Sequence, residues 1–63
     1  MEQIRIRRQH LKITQERLAQ ELHVDKSAVS YWESGESMPR ADKLPELARI
    51  LGCTIDDLFR KGN

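Results

Sequence analysis

The side chains able to do chemistry fall into groups that lack catalytic partners. Ser27, Ser30, Ser34 and Ser37 are close in sequence. A serine nucleophile needs a base within hydrogen-bond reach, and His10 and His23 lie on other segments. Asp56 and Asp57 are adjacent, so on a helix they point about 100° apart and do not share a site. Cys53 is the sole cysteine beside two histidines, which gives neither an internal disulfide nor a zinc-ligand set. No glycine-rich phosphate loop occurs. The remaining polar set is Lys26, Ser27, Ser30 and Tyr31, with Ala28 among them, in "TQERLAQELHVDKSAVSYWESG". These residues occupy the start and outer face of one short amphipathic segment, and a second such segment precedes it across a His-Val-Asp step.

Length and composition limit what those residues can belong to. Sixty-three residues allow one domain, residues 1–63, with about 60% of its unfolded surface buried and one modest core. An apolar fraction of 38% and a charged fraction of 33% fit a globular protein. No run approaches the roughly 20 apolar residues of a membrane span, and "MEQIRIRRQHLKI" has no uninterrupted apolar core of the kind a secretory signal carries. Together with the unpaired cysteine, this sets the expectation of a reducing, intracellular, cytoplasmic setting. Cys53 reads as a small, partly buried residue beside a helix start; the alternative is a redox-sensing thiol. The formal net charge is only +1, but its distribution is uneven. Arg5, Arg7, Arg8 and Lys12 crowd the first segment, and Glu46, Asp56 and Asp57 lie toward the end.

Five short helices are expected to position these groups. Ile4, Arg8 and Leu11 have helical spacing within a helix over 2–12, with Ile13 a core anchor just outside it. Thr14 is an N-cap, because its hydroxyl can accept a first-turn amide. Leu18, Ala19 and Leu22 form the buried stripe of the second helix. His23 occupies a turn that requires a left-handed residue, where glycine is easiest; the alternative role is a proton switch. Asp25 caps a third helix over 26–33, with Val29 and Trp32 inward and Gly35 free to take the left-handed cap. A fourth helix over 42–51 carries Leu44, Leu47, Ala48 and Leu51 as one apolar stripe. Its Pro45 is tolerated if Ala41 or Asp42 is the N-cap, since first-turn amides have no intrahelical partner to lose. Thr54 caps a fifth helix carrying Ile55, Leu58 and Phe59, with Asp56 and Asp57 complementing its dipole. "RKGN" is expected to fray.

The spaced residues Thr14-Gln15, Leu18-Ala19, Leu22, Val24, Val29-Ser30, Trp32-Glu33 and Gly35 resemble the helix-turn-helix of the XRE family, the lambda-repressor-like and Cro-like DNA-binding domains. The resemblance continues through Pro39, "LPELARILG" and "IDDLF", and so runs from about Ile4 to Phe59. His23 departs from the family's usual turn glycine. Glu36 stands in a loop where the family often has a basic residue.

The resemblance implies an all-α, five-helix lambda-repressor-like fold with the helix-turn-helix at about 14–33. It places the second helix of that pair in the major groove, with Lys26, Ser27, Ala28, Ser30 and Tyr31 toward the bases. The chemistry fits: lysine donates to guanine, serine pairs with several bases, and alanine touches a thymine methyl. The alternative is a solvated helix face. Gln15, at a helix N-terminus, is implied to anchor phosphate and to brace the reading helix. Ser37 and Arg40 are implied to meet the backbone on the other side. Arg5 and Lys12 are further phosphate contacts or simply solvated. The family also pairs Arg8 with Glu33 as a partly buried salt bridge. Trp32 reads as core with an exposed edge.

The implied function is a sequence-specific regulator of transcription on double-stranded DNA, a repressor acting by operator occupancy and dimeric at least on DNA. It needs no cofactor, metal or small-molecule ligand and no membrane, and it associates with the nucleoid. Ile55, Leu58 and Phe59 are the dimer candidates, with full use of all three in the core as the alternative. The competing reading is an antitoxin or adaptor whose partner is a protein, which the weak net charge and Glu36 favour. An enzyme would need catalytic groups from another chain.

Overall fold

One tetrapeptide pattern recurs at three helix joints: Leu11-Lys12-Ile13-Thr14, Leu22-His23-Val24-Asp25 and Leu51-Gly52-Cys53-Thr54. In a computed structural model describing residues 1–61, each pattern ends one helix and begins the next. The second residue is left-handed in all three, with φ of 59° at Lys12, 59° at His23 and 71° at Gly52. The third residue then turns its amide back onto the preceding helix. Ile13 donates to the Arg8 carbonyl (3.2 Å), Val24 to Ala19 (3.0 Å) and Cys53 to Ala48 (3.0 Å). This bond from the residue after a left-handed cap satisfies carbonyls that a helix end leaves open, and it folds an apolar residue against the helix. Ile13, Val24 and Cys53 all pack on the core.

The helices are α1 (Glu2–His10), α2 (Gln15–Leu22), α3 (Lys26–Ser34), α4 (Leu44–Leu51) and α5 (Ile55–Leu58), with a 3-10 turn at Ala41–Lys43. The described residues contain no strand. Buried Ile4, Leu18, Ala19, Leu22, Val29, Trp32, Leu47, Ala48, Leu51 and Leu58 make one core that draws on all five helices. The expected stripe of α2, Leu47, Ala48 and Leu51 of the α4 stripe, and the inward Val29 and Trp32 lie in it, whereas Leu44 is half-buried and packs against it.

Three boundaries differ from the sequence expectation. α1 stops at His10, not residue 12, because Lys12 turns left-handed. Leu11 therefore leaves the helical stripe and is half exposed, and Ile13 takes the inward place. α4 begins at Leu44, later than 42, with the 3-10 turn as its lead-in. Pro45 falls in the first turn, where its missing amide costs nothing. The "RKGN" tail is partly attached: the Arg60 backbone amide donates to the Asp57 carbonyl (3.3 Å) and the Gln3 side-chain Nε2 donates to the Lys61 carbonyl (3.5 Å). Gly62 and Asn63 lie outside the described residues.

Two polar anchors have no local sequence signal. Gln3 is buried at 8% exposure and accepts from Arg7 Nε (3.1 Å) while reaching Lys61. Lys43 Nζ donates to the Leu22 carbonyl (2.8 Å) at the end of α2. A cation there favours the negative end of the helix, and it ties the 3-10 turn to the α2–α3 joint. The Cys53 thiol is pushed up mainly by burial, which favours a packing role over a reactive thiolate.

Candidate nucleic-acid interface

The geometry of the α2–α3 pair begins with Thr14. Its backbone is extended (φ −84°, ψ 164°), and its Oγ1 accepts the Arg17 amide at 3.0 Å. That cap orients α2 so that half-buried Gln15 sits at its first position. His23 is left-handed (φ 59°, ψ 44°), as its place in the turn required. Asp25 holds the N-cap position of α3 with extended backbone, but its side chain makes no cap hydrogen bond. Only its carbonyl acts, accepting the Ala28 amide at 3.0 Å. The first turn of α3 thus keeps free donors and holds no acidic residue.

On the outer face of α3, Lys26, Ser27, Ser30 and Tyr31 are exposed. Their side chains make no hydrogen bond or ion pair with other described residues. Ala28 is only half exposed, because it also packs against the core. Ser37 is exposed in the following loop, and its side chain likewise makes no hydrogen bond with other described residues. Arg40 is exposed there too, with Asp42 Oδ1 3.9 Å away. Both of these side chains are largely in water, at 87% and 70% exposure, so that pairing is weak and leaves the guanidinium available.

The loop is shaped by one acceptor that sequence reasoning did not identify. The amides of Gly35 (3.0 Å), Glu36 (3.0 Å) and Ser37 (3.3 Å) and the Ser34 hydroxyl (3.2 Å) all donate to the Tyr31 carbonyl. Gly35 permits this by taking φ 89°. Those amides face inward, so side chains and later residues are what the loop offers outward. Pro39 is buried beneath it.

Behind α3, Arg8 and Glu33 meet at Nε–Oε2 2.7 Å and Nη2–Oε1 3.3 Å, with side chains 12% and 6% exposed. Arg8 Nη1 also donates to the Ile13 carbonyl (2.8 Å), and Gln15 Nε2 to Glu33 Oε1 (3.0 Å). The planar guanidinium suits this two-point contact. Exposed Arg5 makes no side-chain hydrogen bond or ion pair with other described residues. Lys12 is exposed two residues before the Thr14 cap, where its backbone makes the turn.

Of the dimer candidates, Ile55 (37%) and Phe59 (51%) are exposed. Leu58 is 1% exposed. It is withdrawn as an interface residue, because α5 uses it to close the core. No three metal-ligating side chains come together among the described residues.

An N-capped helix, a left-handed turn and a second helix with an unpartnered outer face define a helix-turn-helix unit. The chain belongs to the helix-turn-helix family, whose model matches residues 4–58. It is 43% identical over 53 residues to the HTH-type transcriptional regulator DicA of Escherichia coli strain K12, covering 84% of this chain and 39% of that protein. It is 39% identical over 59 residues to Repressor protein C2 of Salmonella phage P22, covering 94% of this chain and 27% of that one. It is 40% identical over 47 residues to the HTH-type transcriptional activator BcrR of Enterococcus faecalis, covering 75% of this chain and 23% of that one. The chain therefore spans well under half the length of these relatives.

Proposed function

We propose that this chain is the double-stranded-DNA-reading module of a transcriptional regulator. The observation that carries the reading is the first turn of α3. It is basic, lacks a side-chain cap, and is flanked by unpartnered polar side chains. In a helix-turn-helix the N-terminal residues of the second helix approach base edges. Lys26, Ser27, Ser30 and Tyr31 then read bases, and Ala28 offers its remaining methyl surface to a thymine. Gln15, Ser37 and Arg40 hold phosphates, with Lys12 beside α2 and Arg5 as a more distant contact. The regulator and repressor names of its relatives support the same class.

Regulation then follows from occupancy, as a repressor on an operator in the nucleoid. Two copies occupy paired half-sites about 34–36 Å apart. Ile55 and Phe59 form the contact between them, since α5 leaves both exposed. Selection on a random double-stranded DNA pool at two salt concentrations tests this reading. An enriched inverted repeat, bound more weakly as salt rises, is the expected result. Failure to enrich any sequence at either salt overturns it and turns the search toward a protein partner.

A further inference from the structure

Resting on that reading, we propose that Glu33, itself held by Arg8, is a positioning residue that sets how Gln15 meets phosphate. A carboxylate only accepts hydrogen bonds, and a glutamine amide presents both a donor and an acceptor. Glu33 therefore fixes which end of the Gln15 amide faces it: Nε2, at 3.0 Å from Oε1. The opposite orientation would set the amide oxygen against a carboxylate. The same nitrogen retains a second N–H at the start of α2, where the open backbone amides of a helix N-terminus favour an anion.

Glu33 can hold Gln15 only because it is itself fixed. Its side chain is 6% exposed and receives Arg8 at both oxygens. Arg8 in turn is tied to the Ile13 carbonyl, one residue before the Thr14 cap. The chain of bonds runs from α1 through the end of α3 to the first residue of α2. Gln15 is thus ordered before DNA arrives, so its ordering entropy is not lost on contact. The ion pair, read from sequence as purely structural, acquires a part in recognition through Gln15.

The sign of one substitution separates this from general electrostatics. Glu33→Ala raises the formal net charge from +1 to +2, which by itself strengthens attraction to DNA. The proposal requires the opposite. The probe is a short duplex of fixed sequence at low salt, with each variant first checked as folded by circular dichroism. Glu33→Ala and Gln15→Ala are each expected to bind roughly tenfold more weakly, the scale of one hydrogen bond to a charged group. The double variant is expected to bind no more weakly than Gln15→Ala alone. Equal or tighter binding by Glu33→Ala, or losses that multiply in the double variant, overturns the inference. If Glu33→Ala does not fold, Glu33→Gln takes its place in the same cycle. The Gln15 side-chain amide resonances in the free protein give an independent reading. They should be slow to exchange with solvent and should lose that protection in the Glu33 variant; resonances typical of an exposed glutamine in the unaltered chain overturn it as well. Absence of duplex binding by the unaltered protein overturns the DNA reading itself, and this inference with it.

Discussion

Two of the three like joints in this chain are finished differently. α2 meets α3 across Leu22-His23-Val24-Asp25, and α4 meets α5 across Leu51-Gly52-Cys53-Thr54. Both joints place a left-handed residue second and an N-cap position last. At α5 the start is closed. Thr54 Oγ1 accepts the Asp57 amide (3.0 Å), and the Asp57 carboxylate accepts the Thr54 amide (3.2 Å), a reciprocal capping box. Asp56 and Asp57 add negative charge there. At α3 the start is open: no side chain caps it, and Lys26 and Ser27 follow. The two joints share a backbone turn, but only the α3 start is left without a side-chain cap or an acidic first turn. The turn sets the geometry, and the first helical residues set the charge and the open donors around it.

The largest energetic difference between the joints lies in the ion pair behind the α3 start. Arg8→Met leaves Glu33 buried without its partner, at a cost of roughly 3–5 kcal/mol. A thermal melt should show a large fall in Tm. An unchanged Tm would mean that the pair contributes nothing. The corresponding link to the closed joint, Arg7 to Asp57 at 4.0 Å, is longer and wetter. Arg7→Met should therefore lose at most about 1 kcal/mol from that link.

Next in size is an exchange of chemistry between the joints. Lys26→Asp gives α3 the acidic first turn of α5. Stability should hold or rise, because a carboxylate suits a helix start. DNA affinity should fall at every sequence tested, by at least the roughly 1–3 kcal/mol of a base contact. Retained affinity in a gel-shift titration would remove Lys26 from the interface.

Closing the α5 joint has its own smaller signature. Thr54→Ala should cost about 1 kcal/mol in denaturant unfolding. The Thr54 backbone amide, then its hydroxyl-linked bond, holds the Asp57 carboxyl below its usual value of 3.8. A carboxylate with a lowered folded pKa adds stability above its unfolded value, and that stability is lost as pH falls through the folded pKa. Melts of Asp57→Asn should lose this acid-dependent part below the ordinary carboxylate range. A melt-versus-pH profile identical to that of the unaltered chain would show that the box does not form.

The smallest expected effect sharpens the turn itself. His23→Gly removes a non-glycine residue from the left-handed region and should stabilise by about 0.5–1 kcal/mol, less the entropy glycine loses on folding. Gly52→Ala should destabilise by a similar amount. No atom crowds an added Cβ at Gly52, so conformation alone sets that cost. Opposite signs for the two substitutions are the test.

Much of this was legible along the chain. The stripes Leu18-Ala19-Leu22 and Leu47-Ala48-Leu51, the caps at Thr14 and Thr54, the left-handed place of His23 and the family itself follow from local spacing and residue type. Local sequence suffices there because each feature is set by contacts within a helical turn or two. The places of Leu11 and Leu58 were not legible, for the converse reason. Whether an apolar residue faces core or water depends on where the chain turns and what packs on it, and Lys12 gave no glycine to mark the turn.

Five short helices, the joints after α2 and α4 and the family follow from the amino-acid sequence, because periodicity, caps and turn residues act over a few positions. The tertiary structure alone decided which polar groups are taken and which remain open. Lys43 reaches Leu22 across 21 positions, Gln3 reaches Lys61 across 58, and Gln15 finds Glu33 across 18. Hydrogen bonds of that reach depend on how helices pack, and packing is a property of the whole core.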